Sequence, residues 1–412
     1  MNSSDLTGPV DPKKRLETVD MVRGFALFGV MLVNMFNFGA TSSVWTDPVD
    51  VAGFSVMRFF FETKSWRLFS FLFGFGFALQ MLRADEGQAN VLPTYFRRLA
   101  ILFCIGVLHA LFYDGDILMY YAELGLVLVL FRKMSANTLL VIAAALLLAF
   151  PVERVITSTL AGPPANAPTA EVRLENAQKR IEERRRTHPY AVGTVRDVMV
   201  ENAPKIPPNL NLFTDLQGVE STLPYFAMFL LGLYAGRRRF FHDIPQHIDF
   251  IRKVFYWGLT LGVLGLSTER LLSVTADYVL FDEQRATIMP QLAGDLAFVV
   301  GSTSLALGYA ATIVLAAQHP RWRRIVMPLA AVGRMALTIY LLQSLMFTTL
   351  FYGYGFGQVF MIGPAAVFTY AIVFFAIQIV IANWWLTYFR FGPMEWLWRS
   401  LTYLKVQPIS IR

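Results

Sequence analysis

A single histidine, His109, stands inside an otherwise apolar run, ILFCIGVLHALFYDGDIL. Imidazole is the side chain best matched to acid–base work near neutral pH, provided a reacting proton comes within hydrogen-bond reach. Asp114 and Asp116 follow in a very short connection and are placed to orient the ring. Glu123 lies seven residues beyond Asp116, which on a helix means a shared face. A second constellation is cationic. Asp20 and Arg23 are three apart, hence neighbours on one helical face, and Arg97 and Arg98 stand just ahead of the run that carries His109. A guanidinium takes phosphate through two hydrogen bonds. Arg23 (with Asp20), Arg97 and Arg98 are therefore candidates for gripping a phosphorylated ligand. Each group also has a plainer reading: a buried histidine bonded to a neighbouring helix, a local ion pair, interfacial anchors.

The elements that must hold these groups are membrane helices. The chain has 412 residues, 55% of them hydrophobic, and apolar runs without charge recur along nearly its whole length. A bilayer needs about 20 apolar residues per helix. The pattern predicts an all-α, polytopic membrane protein of about ten transmembrane helices, near 22–38, 66–82, 96–113, 116–131, 136–155, 222–236, 253–273, 291–317, 325–351 and 364–387. A polar segment over 156–221 divides five helices (22–155) from five (222–389), with short ends at 1–21 and 390–412. Within that segment Ala170–Arg186 reads as a short charged helix and the rest as loop. Lys and Arg cluster in alternate segments: Lys13, Lys14 and Arg15; Arg83, Arg97 and Arg98; Arg132 and Lys133; Arg237–Arg239; Arg321, Arg323 and Arg324; Arg390 and Arg399. The positive-inside rule then predicts both termini in the cytoplasm and the 156–221 segment outside. The net charge of +7 belongs to these loops and does not indicate nucleic acid.

Ionisable groups at membrane depth are costly and mark candidate sites by default. Beyond those above, Asn34, Lys64, Asp295, Arg334, Gln343 and Ser344 qualify. The one cysteine, Cys104, excludes a disulfide framework, and one histidine in place for a metal excludes a zinc site. No glycine-rich phosphate loop or nucleophile elbow is visible. Paired glycines, Gly232 with Gly236 and Gly258 with Gly262, and the Gly74–Gly76 pair, suit close helix packing.

Several segments resemble a known family. RLETVDMVRGFALFGVMLVNM from Arg15 looks like the first helix of the YeiB-like family, a domain of unknown function. KSWRLFSFLFGFGFAL from Lys64 resembles its second-helix motif. RRLAILFCIGVLHALFYDGDIL from Arg97 extends the match. GRMALTIYLLQSLMFTTLFYGYGFG from Gly333, with the closing GPMEWLWRSLTY, resembles its C-terminal signature, Ile339 standing where Asn is expected. The resemblance spans nearly the whole chain and implies a bacterial inner-membrane protein. The first helix, with its Asp20-x-x-Arg23-Gly24 pattern, is also similar to that of transmembrane acyltransferases, among them the heparan-α-glucosaminide N-acetyltransferases. Those enzymes take cytoplasmic acyl-CoA and modify an acceptor across the membrane. Many carry a histidine at the end of that helix; this chain has Asn34 near that point and no histidine before His109.

Three functions follow as expectations. The first is an acyltransferase, with His109 as base, Asp116 and Asp114 orienting it, and acyl-CoA held near Arg97, about 18 Å away along one helix at the α-helical rise. The acceptor would be a small molecule or glycan with an outer hydroxyl or amine. The second is a proton-coupled transporter using Glu123, His109 and Asp295. The third is a non-catalytic scaffold. Membrane lipids are expected partners, nucleic acid is not, and a homodimer is left open.

Overall fold

The computed structural model describes residues 16–39, 45–87, 91–161, 170–206, 216–279 and 288–411. The basic residues Lys13, Lys14 and Arg15, and the prolines of 162–169, lie outside them. The described chain is helical, with an isolated bridge between Phe389 and Ser410 near its end. The helices are α1 (Glu17–Gly39), α2 (Pro48–Phe60), α3 (Lys64–Gly87), α4 (Leu92–Ala110), α5 (Leu118–Leu128) and α6 (Ala136–Ala161). Across the polar segment run α7 (Ala170–Thr187), α8 (Pro189–Val192) and α9 (Val195–Asn202). The second half holds α10 (Leu216–Arg237), α11 (Ile244–Val279), α12 (Ile288–Gln318), α13 (Pro320–Val326), α14 (Leu329–Arg334), α15 (Ala336–Phe351), α16 (Pro364–Tyr388) and α17 (Pro393–Tyr403).

Among the described residues, six helical stretches are long and apolar enough to cross a membrane: Glu17–Gly39, Pro48–Leu82, Leu92–Ala110, Ala136–Thr157, Met289–Gln318 and Pro364–Tyr388. Leu118–Phe131 and Ala336–Phe351 are shorter apolar helices. The protein is an all-α, multi-pass membrane protein; six of the ten expected spans fall on these stretches and two more, 116–131 and 325–351, overlap the shorter apolar helices. α1 is the hub. Val22, Val30, Met31, Leu32 and Met35 are all fully buried, so it has no lipid-facing side. α6 and α16 are the opposite case, with Val141, Leu148, Val373 and Val380 exposed as a lipid-facing surface requires.

Glycines set the closest approaches. A Cβ on Gly258 would fall 2.8 Å from the backbone of Gly308, so α11 and α12 touch backbone to backbone. Gly232 of α10 lies in the same way on the carbonyl of Phe71 in α3, and Gly74 on Phe229. Gly76, paired with Gly74 on sequence grounds, faces open space.

Three expectations need correction. The span at 325–351 is not one helix. It breaks at Pro328, which has no N–H to donate, and again at Met335, whose φ of −107° and ψ of 31° leave the helical region. The stretch before the second span is not a loop either. Asp47 caps α2 by accepting from Val49 and Asp50, Pro48 sits where a missing N–H is harmless, and α2 leads into α3 through a break at 61–63. Finally, the polar segment beyond Arg186 is largely helical, because Thr194 and Asp197 form a reciprocal capping box that starts α9.

Candidate functional site

His109 lies in the last turn of α4, 7% exposed, where the chain turns sharply into α5. Asp116 returns through that turn and places Oδ1 at 2.7 Å from His109 Nδ1. The other carboxylate oxygen, Oδ2, accepts from Met119 N at 2.9 Å and so caps the start of α5. One acid thus fixes both the turn and the ring. With Nδ1–H donated to the carboxylate, the lone pair resides on Nε2, and Nε2 is buried with no partner. Tyr340 of α15 and Tyr113 flank the ring at 5.1 Å and 5.9 Å between centroids, and Tyr113 stacks on Phe38 at the end of α1 at 4.4 Å. The arrangement is a carboxylate–imidazole pair with its reactive nitrogen in an aromatic pocket.

The other acids of the constellation sit elsewhere. Asp114 Oδ2 is 3.3 Å from Lys205 Nζ and faces the polar cap, not the ring. Glu123 makes no hydrogen bond to His109 or Asp116, and its buried Oε2 has no partner. Asp116 precedes α5, which begins at Leu118, so the seven-residue spacing does not put the two acids on one helical face.

The segment between the halves closes over this end of the bundle. Asn202 is fully buried. Its Nδ2 donates to Leu111 O at 3.2 Å, and its Oδ1 accepts from Tyr190 Oη at 2.5 Å and Lys205 Nζ at 3.4 Å. Tyr190 stacks on Tyr352 at 4.7 Å, and its carbonyl accepts from Gly353 N at 2.8 Å. Arg185 donates to the carbonyl of Phe360, while Arg184 lies over the Phe360 ring. The sequence leaves this segment as a solvated linker or cap and reads its residues beyond Arg186 as loop; the capping-box pair Thr194 and Asp197 was the signal for a helix there.

The cationic constellation is used in packing. Arg23 pairs with Asp20 at 2.6 Å and donates to Gly333 O at 3.2 Å, a carbonyl near the broken end of α14. Gly24 and Gly333 sit so close to the facing backbone that a Cβ on either would overlap Leu329 O or Asp20 O. Arg97 donates to Thr402 O at 2.8 Å, and Arg98 lies 4.2 Å over the Trp398 ring, so both hold α17. Glu395 of α17 supplies what the break at Met335 leaves open. It accepts from Leu337 N at 2.6 Å, Thr338 N at 3.1 Å and Thr338 Oγ1 at 2.5 Å, capping α15.

Among the remaining intramembrane polar residues, Gln343 Nε2 donates to Gln378 Oε1 at 2.9 Å, tying α15 to α16. Ser344 bonds back to Tyr340 O within its own helix. Asp295 pairs with Arg154 at 3.3 Å between α12 and α6. Arg334 donates to Arg390 O at 3.4 Å. Asn34 is buried in α1 with an unpartnered Oδ1. Lys64 is buried beside Arg67 at the start of α3. An open pocket of about 750 Å³ at the opposite end of the bundle from His109 is lined by Arg323, Arg324, His242 and Met21.

Residues 235–405 match a family model described as a protein of unknown function, DUF418. The chain is 34% identical to the uncharacterized protein YxaH of Bacillus subtilis (strain 168), over 98% of both chains. It is 30% identical to the uncharacterized protein YeiB of Escherichia coli (strain K12), over 94% of this chain and 96% of that one. An uncharacterized 39.9 kDa protein from Bacillus acidopullulyticus is 26% identical over 98% of each. With end-to-end similarity at this level, and with the second-half signature matched, the chain belongs to the YeiB-like, DUF418 family of multi-pass membrane proteins.

Proposed function

We propose that the protein is a membrane-embedded acyltransferase of the bacterial inner membrane, using His109 as general base. The observation that carries this reading is the His109–Asp116 pair: a 2.7 Å bond fixes the tautomer, and the unpartnered Nε2 is left to accept a proton. An acceptor hydroxyl or amine gives its proton to Nε2 and attacks the thioester carbonyl of acyl-CoA. The C–S bond breaks, and the proton passes from His109 to the departing thiolate. Asp116 stabilises the imidazolium between the two steps, and the cap limits access of water to this end.

The CoA phosphates belong at the cytoplasmic end. Arg23, Arg97 and Arg98 have protein partners there and Arg323 pairs with Glu17 at 2.8 Å, so Arg324 beside the 750 Å³ pocket is the better-placed cation. From Met21, which lines that pocket, to Phe38 near His109 is about 26 Å along α1, a span for an extended thioester arm.

Purified protein with acetyl-CoA tests the reading through release of free thiol. His109→Gln and Asp116→Asn should lower the rate by about 10²–10⁴-fold while leaving CoA binding by calorimetry unchanged. No CoA binding to the wild type at millimolar ligand, or a His109→Gln protein with full activity, overturns it. A proton-coupled transporter is the second reading. The observation in its favour is the buried, unpartnered Oε2 of Glu123, and uptake into proteoliposomes without acyl-CoA would select it.

A further inference from the structure

The junction of α2 and α3 is a helix broken inside the bundle. Phe61, at the break, packs edge-on against Phe28 at 5.6 Å. A Cβ on Gly29 would collide with Ser65 Oγ. Phe28 and Gly29 are the middle of the 23-residue α1, so α3 starts near mid-depth and not at the outer surface. Thr63 sits at φ 64°, a left-handed conformation that a β-branched residue rarely adopts. The first turn of α3 therefore brings the positive end of a helix dipole inside the membrane, although its Lys64, Ser65 and Arg67 N–H groups are already bonded to Glu62 O, Phe61 O and Thr63 O.

Two cations lie in that turn. Lys64 and Arg67 are three apart and each 2% exposed. Lys64 Nζ donates to Arg58 O at 2.9 Å. Arg67 Nη1 donates to Val299 O at 3.1 Å, Thr303 Oγ1 at 2.9 Å and Ser302 Oγ. Both cationic heads lie against the Phe298 ring, at 5.9 Å and 5.6 Å from its centroid. Neither forms an ion pair among the described residues. Nearby Glu62 is paired with Arg58 at 2.9 Å, and Glu269 with Arg270 at 3.7 Å. Three donors around the same turn are buried without partners: Thr63 Oγ1, Trp66 Nε1 and Arg67 Nε. Arg58 and Arg270 line an open groove of about 440 Å³ beside the break.

A buried cation without a counter-charge costs several kcal/mol, and here two occur together with three idle donors and a helix N-terminus. Neutral acceptors take the Lys64 Nζ and Arg67 Nη1 donors, but among the described residues no carboxylate forms an ion pair with either cation. We propose that the α2–α3 break binds a phosphate-type oxyanion, held by Lys64, Arg67 and the unpartnered side-chain donors at the start of α3. Half-helix N-termini inside membrane bundles take anionic groups for the same electrostatic reason. The phosphate can come from a lipid headgroup or from a soluble phosphorylated molecule entering by the groove. The site stands apart from His109, and loss of acyl transfer leaves it untouched.

The test is thermal unfolding of the purified protein. Inorganic phosphate is titrated in a neutral detergent against sodium chloride at matched ionic strength. Nanodiscs of phosphatidylglycerol are compared with nanodiscs of phosphatidylcholine. Wild type should gain a saturable rise in Tm from at least one source: phosphate alone marks a soluble ligand, phosphatidylglycerol alone a lipid. Lys64→Met should abolish the rise, and Arg67→Lys, which keeps the charge and removes Nε, should reduce it. If the variants do not fold, hydrogen exchange on wild type locates the site, with ligand protecting residues 58–67. No saturable stabilisation of wild type from either source, an undiminished rise in Lys64→Met, or protection confined elsewhere overturns the proposal.

Discussion

Replacing Asn202 with Ala isolates the cap from the rest of the fold. The side chain makes three hydrogen bonds, to Leu111 O, Tyr190 Oη and Lys205 Nζ, all between the cap and its own seat or within the cap. Each is worth about 1 kcal/mol net, so the ordered, docked cap loses about 3 kcal/mol, one part from its seat and two from within the cap. That corresponds to about 100-fold in the opening equilibrium. Hydrogen exchange followed by mass spectrometry reads it directly, since local opening governs exchange of each segment separately. Peptides covering 189–205 should exchange about 100-fold faster, while the α11–α12 pair, joined backbone to backbone at Gly258 and Gly308, keeps its rate. Unchanged exchange across 189–205 would show that the Tyr190–Tyr352 stack and the Arg185 contact hold the cap without Asn202. Equal acceleration everywhere would show that cap and bundle unfold as one unit, and the reasoning from a separable cap would fail.

Glu395→Ala should lower stability by about 3 kcal/mol, because three donors at the start of α15 lose their acceptor at once; denaturation in detergent, monitored by tryptophan fluorescence, measures it, and a loss below about 0.5 kcal/mol would remove Glu395 as the cap. Orientation is checked with single cysteines in a Cys104→Ser background. Gln178→Cys in the polar segment should react with an impermeant maleimide on intact cells, and Arg321→Cys only after lysis, as the distribution of Lys and Arg requires.

Much of the fold was legible because the bilayer imposes a simple rule of length and hydropathy. The six candidate membrane spans among the described residues all lie on apolar runs that the sequence marks. What hydropathy does not encode is continuity. Residues 325–351 read as one apolar stretch, yet the chain breaks at Pro328 and Met335 because Arg23 and Glu395, 312 and 60 residues from Met335, stand ready to satisfy the exposed carbonyl and N–H groups. The same blindness hid the break at 61–63, where Lys64 and Arg67 look like ordinary loop cations. The His109–Asp116 pair was legible because both residues flank one short turn, so their meeting depends on local geometry. Lys205 with Asp114, and Gln378 with Gln343, join distant parts of the chain, and no local pattern announces them.

The family signature and the chemistry-bearing group therefore lie in different places. Asp20, Arg23 and Gly24, the Asp-x-x-Arg-Gly pattern of the first helix, seat α14 on α1 in this fold. Arg23 takes the Gly333 carbonyl, and Gly24 and Gly333 allow the contact. The closing GPMEWLW run serves the same junction through Glu395. A broken helix inside a bilayer needs its freed backbone groups answered by neighbouring side chains, since water is not there to do it. That requirement alone accounts for an Asp-x-x-Arg-Gly helix facing a Gly-Arg break. In this chain the pattern serves to pack a discontinuous helix. The proposed acyl transfer rests instead on His109, whose ring is held by Asp116 at 2.7 Å and whose Nε2 is left without a partner.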